Sequence, residues 1–381
     1  MTTPDTPPGT PSPRNAIISP WVDFLCCGGL SILAVAGFFV YAFIAPESEL
    51  FSRGLDNRDI LLFGTWINAP HFMASYRLLY RTRTQITQHT WASIYAPLIL
   101  LIVIIYALLT PSQGPRSVEF ANSTVVELFV MTATILLAWH YTGQAWGMTA
   151  SFAYLAGIRM ETTERRMIRS GCYSLLVWHI LWACLMLPNE PPLSHSDLII
   201  VSIVRDQAPL LEMIYHVWTA VVLLTIPLGI YGFVRLYRRT GKRPPLACLS
   251  PWTAIYLWYA LIWAYPGVFA VLQIFHALQY LLFPIRVEIN QYSAKKDRTE
   301  IKRAIRGIAY YLILVGVGYV VFFLPQLAYF WGDKQQMLAA MVFGFVNIHH
   351  YVIDGVIWKL RNPEVRRDLF AANRVARHQD S

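Results

Sequence analysis

Charge is what this sequence has least of. Asp, Glu, Lys and Arg make up 14% of 381 residues and hydrophobic residues 56%, where an ordinary soluble domain is about a quarter charged. With a mean hydropathy of +0.43, that balance excludes disorder along the whole chain and a conventional soluble enzyme, and makes lipid the main solvent. Cysteine is scarce too. Cys26, Cys27, Cys172, Cys184 and Cys248 form no CxxC pair, so no disulfide framework and no thiolate metal site is expected, and four of them read as small core residues. A Walker loop, a Rossmann glycine fingerprint, a nucleophile elbow, a CxxCH haem attachment and the HxxxH boxes of membrane desaturases are all absent. No repeat period is visible.

What is present is a series of long apolar runs. Backbone groups in lipid must be satisfied internally, so such runs are helices unless a barrel closes, and a barrel would need short alternating strands. At about 20 residues per span, ten segments are expected: 21–45, 59–80, 91–110, 121–146, 170–187, 211–234, 250–265, 267–285, 304–325 and 337–358. The seventh and eighth form one run that Tyr265-Pro266-Gly267 splits, because Pro and Gly interrupt a helix. Loop charge supports the count. Every Arg/Lys-rich loop, such as 159–169, 235–243 and 295–306, follows an even-numbered span, which puts both termini in the cytoplasm. The formal charge of +9 then reflects orientation and anionic lipid rather than nucleic acid. The expected organisation is a disordered tail over 1–18, one transmembrane domain over 19–360 and a basic cytoplasmic tail over 361–381. The fold class is an all-α polytopic bundle, placed in a bacterial-type inner membrane.

Against so little charge, ten histidines stand out. His89, His195 and His378 lie in loops or tails. Seven others lie inside apolar spans, where polar groups are costly and are functional candidates by default. His71, His140, His276, His349 and His350 sit on spans two, four, eight and ten, all running from outside to inside. At ~1.5 Å per residue, His71, His276 and the His349-His350 pair lie about 13 to 20 Å from the outer end. His140 lies deeper, at about 28 Å. Five imidazoles at comparable depth on parallel helices are candidate metal ligands. A neutral imidazole binds metal without a buried charge, and its second ring nitrogen needs a partner. Asn68, Ser75, Gln144, Gln273, Gln279 and Asn347 are spaced to serve. Asp354 follows His350 by four residues and shares its helix face; it is the expected orienting or proton-relaying carboxylate. His179, on an antiparallel span, is a possible extra ligand.

A set of nitrogen ligands with few carboxylates suits iron, copper or zinc. Non-haem iron acting with O2 on a lipophilic substrate is the leading expectation. The alternatives are a haem protein and a transporter or proton relay built on the same His and Asp residues.

The segment AWHYTGQAWG (138–147) resembles the His-containing helix of the bacterial membrane β-carotene dioxygenases that form retinal. The resemblance implies an iron centre with ligands at His71, His140, His276 and His350 or His349, and a carotenoid or related isoprenoid substrate. The segment FHALQYLLFP (275–284) departs from that family's pattern, since it lacks a second His a few residues on.

Overall fold

Each of the ten apolar segments carries a helix. The structure is a computed structural model that describes residues 16–45, 64–110, 123–186, 199–265, 269–294, 299–327, 334–359 and 362–370. In chain order the helices are α1 (Pro20–Ile44), α2 (Gly64–Asn68 continued by Ala69–Leu79), α3 (Arg83–Gln88), α4 (Trp91–Leu109), α5 (Ser123–Leu155), α6 (Thr162–Met186), α7 (Ile199–Asp206), α8 (Ala208–Thr240), α9 (Leu246–Ala264), α10 (Phe269–Ala294), α11 (Glu300–Leu327), α12 (Lys334–Ile357) and α13 (Pro363–Phe370). No strand occurs among the described residues. Seven of these helices, α1, α4, α5, α6, α8, α9 and α11, are long and apolar enough to cross a membrane. The chain is a helical membrane protein. Helices α2, α10 and α12 fall outside the seven, and they carry His71, His276 and His350.

α5 continues past 146 to Leu155, in line with the reading that this span can extend as a bent helix to about Ala156. Its stop is set by Gly157, which adopts φ +64. The Gly157 N–H donates to Tyr154 O at 3.0 Å and the Ile158 N–H to Ala153 O at 2.9 Å, while Ile158 is buried. This is a left-handed glycine cap with its apolar contact, and the signal was present in the sequence as Gly157-Ile158.

Both expected tails are shorter than their sequence limits. Ile17 is only 1% exposed. The Asp23 carboxylate accepts the Ile17 N–H at 2.6 Å and the Ile18 N–H at 3.0 Å, which folds residues 16–18 over the start of α1. The rest of the 1–18 segment lies outside the described residues. At the other end, α13 docks on α10. Asn290 Nδ2 donates to the carbonyls of Asp368 (2.9 Å) and Leu369 (3.1 Å), and Leu369 and Phe370 are buried. Residues 363–370 are therefore a packed amphipathic helix, and 371–381 lie outside the described residues.

Of the Gly28-Gly29 pair, Gly28 lets α1 approach α9. A Cβ on Gly28 would lie 2.6 Å from Ser250 O, and Gly28 has φ +155 inside a π-helical turn. Gly28→Ala should therefore destabilise the protein by about 1–3 kcal/mol, as overpacking does, read as a lower melting temperature in detergent.

Around the centre of the bundle, α2 packs on α10, α11 and α12, and α5 packs on α6, α9 and α12. α2 is also fastened locally. Pro70 has no N–H for the carbonyl one turn earlier, and the Tyr311 hydroxyl of α11 donates to that carbonyl, Trp66 O, instead.

Candidate metal centre

Four helices each bring one imidazole to a common point. His71 (α2), His140 (α5), His276 (α10) and His350 (α12) are all buried, and their ligand nitrogens lie within 4.8 Å of one another. The Nε2 atoms meet: His71 to His350 at 2.8 Å, His350 to His140 at 3.2 Å and His140 to His276 at 2.8 Å. Ligands on one metal with bonds of about 2.0–2.1 Å are separated by roughly 3.0–3.4 Å, for right-angled to tetrahedral arrangements. The observed spacings approach that range.

Proton sharing does not account for these contacts. In a neutral ring each Nε2 has either one proton or one lone pair. The three contacts form a chain of four atoms, and any assignment of tautomers makes at most two N–H···N bonds. At least one of the three short contacts is left without a shared proton of its own in a buried site. A metal cation accepts all four lone pairs at once. The cluster is thus capable of binding metal, and its donor set fits one.

The tautomer at His71 is fixed for that role. Its Nδ1 lies 2.9 Å from Asn68 O. A carbonyl only accepts, so Nδ1 carries the proton and Nε2 the lone pair. The Nδ1 atoms of His276 and His350 have no hydrogen-bond partner among the described residues. Packing holds those rings instead. Tyr141 stacks on His276 with centroids 4.2 Å apart, Phe72 lies 4.9 Å from His350, and Tyr351 lies 4.8 Å from His140.

Asp354 adjoins the centre. Its Oδ1 accepts from Ser75 Oγ at 2.8 Å and from the Tyr280 hydroxyl at 3.0 Å. Trp358 Nε1 in turn donates to that hydroxyl at 3.0 Å. Held this way, Oδ2 lies 3.5 Å from His350 Nε2 and 3.9 Å from His140 Nδ1. Tyr280 and Trp358 were missed in the sequence. Each follows a chosen residue, His276 or Asp354, by four positions, and helical periodicity alone would have nominated them.

Two expectations need correction. His349 is not in the cluster. Its Nδ1 meets the Tyr76 hydroxyl at 2.9 Å and its Nε2 meets Ala92 O at 2.7 Å, so it ties α12 to α2 and α4. Adjacent helical residues point about 100° apart, and only one of the pair can face the centre. The amides also do a different job from the one expected. Gln144 Nε2 donates to His276 O (3.0 Å) and Gln279 Oε1 (3.4 Å), and Gln279 Nε2 donates to Cys27 O (2.8 Å). Asn68 Nδ2 donates to Gln273 Oε1 at 3.4 Å, and Asn347 bridges Phe343 O and the Tyr351 hydroxyl. None of these side chains bonds an imidazole nitrogen of the cluster. They brace the helices that carry the rings. His179 lies apart, with Nδ1 2.9 Å from the Tyr259 hydroxyl.

Two cavities flank the His layer. One, of about 300 Å³, is apolar and lies between α4, α5 and α12. It includes Leu137, Gln273 and Asn347, which precede His140, His276 and His350 by one turn each. The other, of about 900 Å³, lies one turn beyond. It is lined by His140 itself, by Gly143, Gln144, Tyr280 and Asp354, and by aromatic residues on the way to the basic loops. A porphyrin does not fit this arrangement. Two imidazoles would take the axial positions, and the other two converge where the pyrrole nitrogens would have to lie.

Comparison of the chain with family models, with curated proteins and with solved structures finds no match.

Proposed function

We propose that this protein is a membrane-embedded non-haem iron oxygenase. In this reading it uses O2 to oxidise a lipophilic substrate, of which carotenoids and isoprenoid lipids are examples. The observation that carries it is the chain of three short Nε2 contacts, of which protons can satisfy two at most. Four imidazoles beside one carboxylate form a set that transition metals favour over magnesium or calcium. The location selects among those metals. O2 and apolar molecules concentrate in lipid, while the water that zinc hydrolysis consumes does not. Iron, when bound, would supply the redox chemistry that O2 requires.

The chain's own residues do the rest. His71, His140, His276 and His350 hold the metal. Asp354 brings one negative charge to its edge, fixed in place by Ser75 and Tyr280. The larger cavity admits substrate to the face that His140 and Asp354 line, and its volume lies within the range of about 300–1,000 Å³ usual for small-molecule sites. Tyr141, Phe72 and Tyr351 exclude water from the other faces. The chain crosses a bacterial-type inner membrane ten times with both termini in the cytoplasm, so the larger cavity opens toward the cytoplasmic leaflet.

The test is metal content measured together with the visible spectrum, on full-length protein freshly purified in detergent. Stoichiometric iron without a Soret band is the expected result. A Soret band, or folded protein with no metal, overturns the reading.

A further inference from the structure

The larger cavity is not lined like a site for a neutral hydrocarbon. Five cationic side chains border it: Arg159, Arg165, Arg169, Lys359 and Arg366. Among the described residues its one acidic lining residue is Asp354, at the opposite end beside the imidazoles. The acids near the basic end are engaged elsewhere. Glu164 is held by Arg239 through two contacts of 2.7 Å, and Glu364 accepts from Gln85 at 3.3 Å. Arg169 lies over Trp146 and Tyr173, 5.5 and 4.7 Å from their centroids, so its guanidinium is supported by rings, and it forms no ion pair among the described residues. Between the two ends the lining includes Met148, Tyr154, Phe283 and Trp358.

The positive-inside rule explains cations in these loops. It does not explain why they border a cavity that reaches the His centre. The smaller cavity, one turn away on the other side of the His layer, has no charged residue in its lining among the described residues.

We infer that the larger cavity binds a long-chain amphiphile with an anionic head, carboxylate or phosphate, seated on Arg165, Arg169 and Lys359 with its chain running to His140 and Asp354. The inference rests on the proposed oxygenase reading for the fate of the substrate, but not for its binding. Geometry also sets which part of the molecule meets the centre. At ~1.5 Å per residue, Lys359 lies about 8 Å along the helix direction from Asp354, and Trp146, under Arg169, about 9 Å along α5 from His140. The head is therefore kept away from the imidazoles, and carbons within the chain are presented to them. A neutral carotenoid has no group for the basic end.

Trp146 and Trp358 line this cavity and report on it. The experiment titrates full-length protein in detergent with 9,10-dibromostearate, with its methyl ester and with a brominated lysophosphatidic acid, reading saturable quenching of tryptophan fluorescence. At least one of the two acids should bind ten-fold or more tighter than the ester. Which acid is preferred distinguishes a free carboxylate from a phosphate head. In the combined variant Arg165→Gln, Arg169→Gln, Lys359→Gln the preference should fall to about two-fold. Raising the salt concentration on the unmodified protein should weaken acid binding and leave the ester unchanged, and this arm needs no variant to fold. Equal binding of acid and ester, or an acid preference indifferent to both salt and the triple variant, overturns the inference. Metal content is measured on the same samples. Iron without acid preference would leave the oxygenase reading standing and sink this one, and acid preference without iron would do the reverse.

Discussion

His350→Ala should empty the centre of metal, whereas His349→Gln, one residue away, should leave it full. The two side chains are adjacent in sequence and equally apolar in setting, and they are distinguished only by rotation about α12. His350 Nε2 touches two other imidazoles of the cluster, at 2.8 and 3.2 Å, so its removal takes away one of the two ligands in the middle of the chain of contacts. Loss of a residue that merely orients a ligand costs 10–100-fold in metal affinity, so loss of the ligand should cost more than 100-fold. His349 instead spans Tyr76 and the Ala92 carbonyl. Its loss should appear as reduced thermal stability, about 1–3 kcal/mol for a buried acceptor left without its donor, at unchanged metal content. Both quantities are measured on the same detergent preparations, by elemental analysis and by thermal unfolding. Full occupancy in His350→Ala would remove the residue from the ligand set and break the chain of contacts on which the centre rests. Metal loss in folded His349→Gln would place the centre elsewhere along α12.

The contrast between these neighbours also marks where the sequence stops being readable. Low charge identified a membrane protein, and the spans themselves identified which residues lay in lipid. Loop charge gave alternate spans one expected direction, and the mid-span histidines among them nominated helices α2, α5, α10 and α12. Three of those choices needed nothing more than a lone His in an apolar run. The fourth was ambiguous because two adjacent His offer two helix faces, and only packing against Tyr76 and Ala92 chooses between them. Depth was a poorer guide than direction. Counted from the helix starts at ~1.5 Å per residue, His140 lies about 26 Å along α5 and His276 about 11 Å along α10. Yet their Nε2 atoms are 2.8 Å apart. Helix starts do not mark the membrane surface, and the register between helices is fixed by side-chain packing. The amides were misread for a related reason. Gln144 and Gln279 share a face with their histidines, but a helix carbonyl or a neighbouring amide lies closer than a ring nitrogen. Gly157-Ile158 and Tyr280, by contrast, were legible as a cap and as a four-residue repeat of the His276 face.

Asp354→Asn should shift stability in opposite directions with and without metal. The substitution preserves shape, and the oxygen that accepts from Ser75 and Tyr280 can accept from them still. What it removes is a negative charge 3.5 Å from His350 Nε2. Four imidazoles do not neutralise a divalent cation, and in a low-dielectric interior an uncompensated charge is costly. The variant should therefore bind metal 10–100-fold more weakly, a loss of about 1.4–2.8 kcal/mol from the loaded protein at tenfold per 1.4 kcal/mol. In metal-free protein the sign reverses. There the buried carboxylate has no cation among the described residues to offset its charge, and an amide in its place carries no charge to bury. Metal-free Asp354→Asn should melt at or above metal-free wild type, while the loaded variant should melt below loaded wild type. Tyr280→Phe makes the complementary case. It removes one of the two donors that hold Asp354 but leaves the charge, so metal affinity should fall by less than in Asp354→Asn. If Asp354→Asn weakens the loaded and the metal-free forms alike, the carboxylate serves packing and has no electrostatic part in holding a metal.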